Sequence, residues 1–109
     1  MKKVKKLWGH EAIIINKKDY CGKILYLKKG FCSSLHYHKI KDETFYVLDG
    51  EVLMEYDNKK ILMKKGDDVN ILPNKKHRFS GIKDSKIIEF STHHYDDDSY
   101  RIEKSRKML

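Results

Sequence analysis

Short runs of β-branched, aromatic and leucine residues recur along the chain. They are KILYL (23–27), TFYVL (44–48), EVLMEY (51–56), KILM (60–63), DVNIL (68–72) and KIIEFS (86–91). Turn-forming clusters separate them: NKKD (16–19), KKG (28–30), LDGE (48–51), YDNKK (56–60), KKGDD (64–68), LPNKK (72–76) and GIKDS (81–85). Short strands at this spacing predict an all-β fold, a sandwich or barrel. The Asp-Gly pair in VLDGEVLM predicts a hairpin between its flanking runs. No segment carries a sustained helical period. YRIEKSRKML (100–109) stays open between a short helix and a tail.

The chain has 109 residues, 39% apolar and 37% charged, which suits one domain over 1–109 with a modest core. Its apolar runs are short, such as AIII (12–15), far below the ~20 residues of a membrane helix. The basic start MKKVKKLWGH lacks the apolar stretch of a secretory signal. These features lead to the expectation of a cytoplasmic protein, with no membrane partner and with Cys21 and Cys32 as reduced thiols. Net charge is +8, so nucleic acid has to be weighed as a partner. The lysines, however, come mostly as scattered pairs at expected turns, and only Lys2, Lys3, Lys5 and Lys6 cluster. Solvated lysines that protect hairpin tips and strand edges explain this better than a nucleic-acid interface. The positive field would favour a small anionic substrate such as a sugar phosphate.

One stretch does not fit a purely structural strand. In SSLHYHKIKDETFYVLDG (33–50), His36 and His38 stand one residue apart, and alternation puts both on one face. Beyond the KIKD turn, Glu43 opens the next strand and brings a carboxylate toward the same point. His77, in LPNKKHRF, follows a turn and is the candidate fourth ligand. Three imidazoles and a carboxylate suit one divalent ion (Zn, Mn, Fe or Ni) with positions left open for substrate or water. An isolated histidine would read as an ordinary polar strand residue, but this combination does not.

The spacing from Gly30 through His36, His38 and Glu43 to Gly50 resembles the first motif of the cupin superfamily, and Gly66, Pro73 and His77 resemble the second. The resemblance implies a small antiparallel jelly-roll β-barrel with the metal held by those four side chains. The flanks are similar to the cupin module of sugar isomerases of the mannose-6-phosphate type II and lyxose kinds. The matching positions are Trp8, Gly9, Lys23, Glu89, Asp97, Asp98 and Arg101. A homodimer is a further implication of the resemblance.

A sugar isomerase moves a proton between adjacent carbons and needs a positioned acid/base group. A metal can stabilise the enediolate that arises. Alternation places Ile87, Glu89 and Ser91 on one face, so an inward Glu89 among apolar neighbours is the candidate proton shuttle; an exposed strand glutamate is the equal alternative. Lys23 is the candidate for a substrate hydroxyl, a phosphate or developing charge. Arg101 is the candidate phosphate ligand, or else a partner of Asp97 or Asp98. His93, with His94 beside it, would reach substrate at the barrel mouth, although a solvent-exposed pair is the commoner outcome. Trp8 is placed at the substrate end, more as a packed lid than as a stacking surface. An iron-dependent dioxygenase and a non-catalytic metal- or sugar-binding module remain alternatives on the same fold.

Overall fold

The computed structural model describes residues 1–108; Leu109, the last residue of the C-terminal stretch and of the 1–109 domain, lies outside the described residues. Thirteen strands follow one another: β1 (Lys2–Lys6), β2 (Gly9–Asn16), β3 (Cys21–Leu27), β4 (Phe31–Cys32), β5 (Leu35–Tyr37), β6 (Glu43–Asp49), β7 (Glu51–Tyr56), β8 (Lys59–Lys64), β9 (Asp68–Ile71), β10 (His77–Gly81), β11 (Ser85–Ser91), β12 (Tyr100–Glu103) and β13 (Arg106–Lys107). All pairings are antiparallel. One sheet runs β1-β2-β3-β11-β6-β9. In the other, β7 joins β8 to β10, β5 and β4 lie along the far edge of β10, and β12 and β13 lie outside them. The fold is the expected all-β jelly roll.

The inward faces of β3, β6 and β11 share one gradient. Cross-strand rows match Leu25 with Ile87 and Val47, then Lys23 with Glu89 and Phe45, then Cys21 with Ser91 and Glu43. Apolar side chains therefore fill one end of the barrel, while charged ones line the other. Leu25, Leu27, Phe45, Val47, Val52, Met54, Met63, Ile71, Phe79 and Ile87 form the core, and Trp8 meets Phe79 edge-on with ring centroids 5.1 Å apart. Fully burying one such aliphatic or aromatic side chain contributes about 1.5–3 kcal/mol, so the apolar end carries the stability that lets the other end hold charge.

Two expectations change. The Asp49-Gly50 step is not a hairpin. A single residue separates β6 from β7, and the two strands belong to different sheets, so Gly50 (φ 95°) turns the chain through a barrel corner. Two-residue hairpin connections occur instead at Leu7-Trp8, between β1 and β2, and at Asp57-Asn58, between β7 and β8, the latter with both φ values positive. The C-terminal stretch is neither helix nor tail. It forms β12 and β13, whose side chains are exposed; pairing with the edges of β5 and β4 gives it strand conformation in place of a buried face.

A Cβ at Gly50 would run into Ser85 Oγ and the Asp84 carbonyl, in a backbone conformation that L-residues rarely adopt. Gly50→Ala is expected to lower the unfolding free energy by roughly 1–3 kcal/mol or more, read as a lower urea midpoint at unchanged slope.

Candidate metal centre

His36 sits on β5, His38 follows its last residue, and Glu43 and His77 are the first residues of β6 and β10. His77 pairs with His36 across the strands, so antiparallel register delivers two ligands at one level. The imidazole centroids are 4.4 Å (His36–His77), 5.0 Å (His36–His38) and 5.5 Å (His38–His77) apart. Donor atoms of the three rings all fall within 4.8 Å of one another, a spacing that allows them to hold a metal ion. Glu43 Oε2 lies 3.2 Å from His38 Nε2 and 3.1 Å from His77 Nε2, which brings the fourth expected side chain to the same point.

Backbone carbonyls set the ring orientations. Nδ1 of His36 lies 2.8 Å from the Ser34 carbonyl, Nδ1 of His38 lies 2.7 Å from the Asp98 carbonyl, and Nδ1 of His77 lies 2.9 Å from the Lys75 carbonyl. A carbonyl only accepts, so each Nδ1 carries its hydrogen and each neutral ring presents an Nε2 lone pair. Lone pairs of Nε2 and of a carboxylate facing each other at this range repel unless a cation or proton stands between them. Glu43 Oε2 and His77 Nε2 are buried and find no aligned hydrogen bond among the described residues. The donor set and these two orphaned atoms fit a divalent cation.

The charges follow the same logic. Burial, reinforced by His77, pushes His36 down to about 3, so that ring is a free base at neutral pH. Burial also lowers His38, but the Glu43 carboxylate more than offsets it, and the pKa ends above the ordinary histidine value. Burial opposes charge on Glu43, yet His38, His77 and Lys41 together hold its carboxyl well below the usual range.

A cavity of about 210 Å³ opens beside this centre. That is smaller than the ~300–1,000 Å³ of pockets for drug-sized ligands and suits a compact molecule. Glu89 lines it and is buried, in line with the inward alternative. Its neighbour is not the apolar surround expected from sequence. Lys41 Nζ lies 3.0 Å from Glu89 Oε2 and 3.8 Å from Glu43 Oε1. Burial disfavours the ammonium of Lys41, but Glu89 and Glu43 outweigh it and raise its pKa. Lys41 lies in the KIKD stretch, which the sequence marks only as a turn. The signal was present, because the two-residue period of Glu43, Phe45 and Val47 extends backward onto it. Lys23, also buried in the wall, lies 3.5 Å from Glu11.

The remaining candidates divide. Trp8 forms part of the cavity wall while packing on Phe79. Arg101 lines the cavity from β12, opposite His36 on β5. His93 is turned away from the cavity, with Nδ1 on the Lys17 carbonyl at 2.8 Å and its ring against Tyr95. Its neighbour His94 lines the cavity instead, because Asn16 grips the His94 backbone at both N–H and carbonyl and fixes which way the pair faces. Burial, then Lys41 and Lys23, push His94 down to about 4, so it is neutral at physiological pH.

Below the raised His38 pKa, a metal entering this centre would displace a proton from His38 but none from His36. Affinity is therefore retained above the raised His38 pKa and lost as pH falls through it, by about tenfold per pH unit for one displaced proton. Calorimetric titration in two buffers of different ionisation enthalpy is expected to show proton release growing as pH falls. His38→Ala is expected to remove most bound metal by elemental analysis.

A family model for the cupin domain matches residues 23–91. An uncharacterized protein of Methanocaldococcus jannaschii is 42% identical over 48 residues, which is 44% of this chain and 38% of that relative. The match thus takes in well under two thirds of the relative's length. Among solved structures, KdgF from Halomonas sp. superposes with a TM-score of 0.81 at 19% identity, covering 89% of this chain and 90% of that one. Streptomyces Pac13, described as a nucleoside dehydratase, superposes with a TM-score of 0.82 at 10% identity, covering 99% and 87%. At such identities the superpositions speak for the fold alone. The family match spans more than half of the chain and includes the two-motif ligand set from His36 to His77, and the chain belongs to the cupin family.

Proposed function

We propose that this cupin is a metal-dependent isomerase or epimerase of a small sugar or sugar phosphate, with Zn, Mn, Fe or Ni held by His36, His38, Glu43 and His77. One observation carries the reading: the cavity beside the four ligands is also lined by Glu89, a buried carboxylate held by Lys41. A divalent ion in the centre supplies Lewis acidity for substrate oxygens. The chain's own groups do the rest. The Glu89 carboxylate takes a proton from the carbon beside the carbonyl. That C–H bond breaks, and its electron pair moves toward the carbonyl oxygen. In an isomerase Glu89 then returns the proton to the neighbouring carbon while the adjacent hydroxyl gives its proton to the former carbonyl oxygen; in an epimerase the intermediate turns in the cavity before Glu89 returns the proton to the opposite face of the same carbon. Lys41 holds Glu89 at the wall through the 3.0 Å ion pair. Lys23, cross-strand from Glu89, offers an ammonium to a substrate oxygen or anionic group, and Arg101 does so from the C-terminal side. Trp8 limits the size of the occupant. The same reading places the protein in the cytoplasm as a homodimer, with the exposed Phe90 and Ile14 as apolar surface for a second copy to cover.

A screen of aldoses, ketoses and their phosphates in D₂O with each divalent metal is expected to find deuterium entering the carbon beside a carbonyl. On that substrate, Glu89→Gln is expected to keep fold and metal while slowing turnover ~10²–10⁴-fold, because an amide of the same shape acts as neither a general base nor a general acid near neutral pH. Lys23→Met is expected to raise KM for a polar or anionic substrate. Wild-type turnover in Glu89→Gln would move the shuttle to His94. Absence of exchange with every sugar and metal would leave the non-catalytic binding module.

A further inference from the structure

We propose that Asp98 is a positioning residue that ties the metal centre and the proton-handling pair to the C-terminal segment. The inference rests on the metal reading above. Asp98 is 4% exposed, although it lies in an irregular stretch between β11 and β12. Its carboxylate gathers three successive backbone N–H groups of the turn between β5 and β6: Lys39 at 2.9 Å to Oδ1, Ile40 at 3.2 Å to both oxygens, and Lys41 at 3.1 Å to Oδ2. Its own carbonyl accepts the Nδ1 hydrogen of His38 at 2.7 Å. Its N–H donates to the Tyr95 carbonyl at 3.0 Å, which anchors the residue within its own segment.

The turn so gathered is the one that separates His38 from Glu43 and that carries Lys41. One residue from a distant part of the chain therefore fixes the tautomer and plane of one ligand and the backbone from which Lys41 reaches Glu89 and Glu43. Charge-assisted hydrogen bonds from three N–H groups to one buried carboxylate are stronger than ordinary turn contacts, and loss of a group that orients a ligand typically costs 10–100-fold in metal affinity. Coupling is reciprocal, so metal held by His38 stabilises the clamp as much as the clamp supports the metal.

The test uses the full chain. In the metal-free protein, at a pH high enough to keep the ring neutral, long-range ¹H–¹⁵N spectra of the histidine rings are expected to show one His38 tautomer, protonated at Nδ1. Asp98→Ala keeps the backbone carbonyl but frees the turn whose three N–H groups seat it against His38, so it is expected to mix the His38 tautomers while leaving His36 and His77 unchanged, and to weaken Zn²⁺ or Mn²⁺ binding 10–100-fold. Asp98→Asn keeps an oxygen for Lys39 and Ile40 but sets an amide donor against the Lys41 N–H, so a smaller loss in the same direction is expected. Asp97→Asn, at the exposed neighbour, is expected to change nothing. Should Asp98→Ala fail to fold, hydrogen exchange of the wild type decides: metal is expected to slow exchange at the Lys39, Ile40 and Lys41 amides. A wild-type His38 tautomer together with unchanged metal affinity in Asp98→Ala, or unaltered exchange at those amides on metal addition, would overturn the proposal. A wild type that binds no divalent ion would sink the metal reading instead, and the tautomer of metal-free Asp98→Ala would still decide the role of Asp98.

Discussion

Glu43 is the residue on which the arrangement turns. It is a buried carboxylate whose oxygen faces imidazole nitrogens at 3.1 and 3.2 Å, with Lys41 at 3.8 Å on its other side. A buried carboxylate without compensation is one of the most unfavourable groups a fold can hold, and removing a partner from a buried pair costs about 3–5 kcal/mol. Every neighbour is arranged around that problem. The histidine rings are held by backbone carbonyls so that their lone pairs converge with the carboxylate, which makes the point attractive to a cation and to little else.

The rest of the polar end continues outward from the same carboxylate. Lys41 joins Glu43 to Glu89, and Glu89 lies across the strands from Lys23, which in turn reaches Glu11. Alternating charges of this kind compensate one another inside the barrel. Such a network contributes little stability by itself. The folded state leans on the opposite end of the same strands, where Leu25, Val47 and Ile87 pack with the core. Dividing each inward face between an apolar end and a charged end gives a rigid support and a reactive site from one set of strands.

The segment after β11 completes the site. Asp98, Arg101 and His94 all come from it, and β12 seals the edge of β5 beside His36. The polar end is therefore a joint product of residues far apart in sequence, which explains why its parts differ in how easily they were read.

Alternation and turn chemistry alone determined the all-β class and six of the strands; they put Ile87, Glu89 and Ser91 on one face, and only the closed barrel turned that face inward. The HxH–Glu spacing with a later histidine likewise marked the four side chains that converge at one point, since ligation demands donor atoms that the pleat can bring together. What the local pattern could not decide was partnership. Asp49-Gly50 has the composition of a hairpin turn, yet β6 and β7 find partners in different sheets, and only the closed barrel sets that. The exposed C-terminal stretch became strand through the free edges of β5 and β4. The choice between His93 and His94 was made by Asn16, far away in the chain. Lys41 became an interior group through Glu89 and Glu43, because a charge enters a barrel only where tertiary structure supplies its counter-charge.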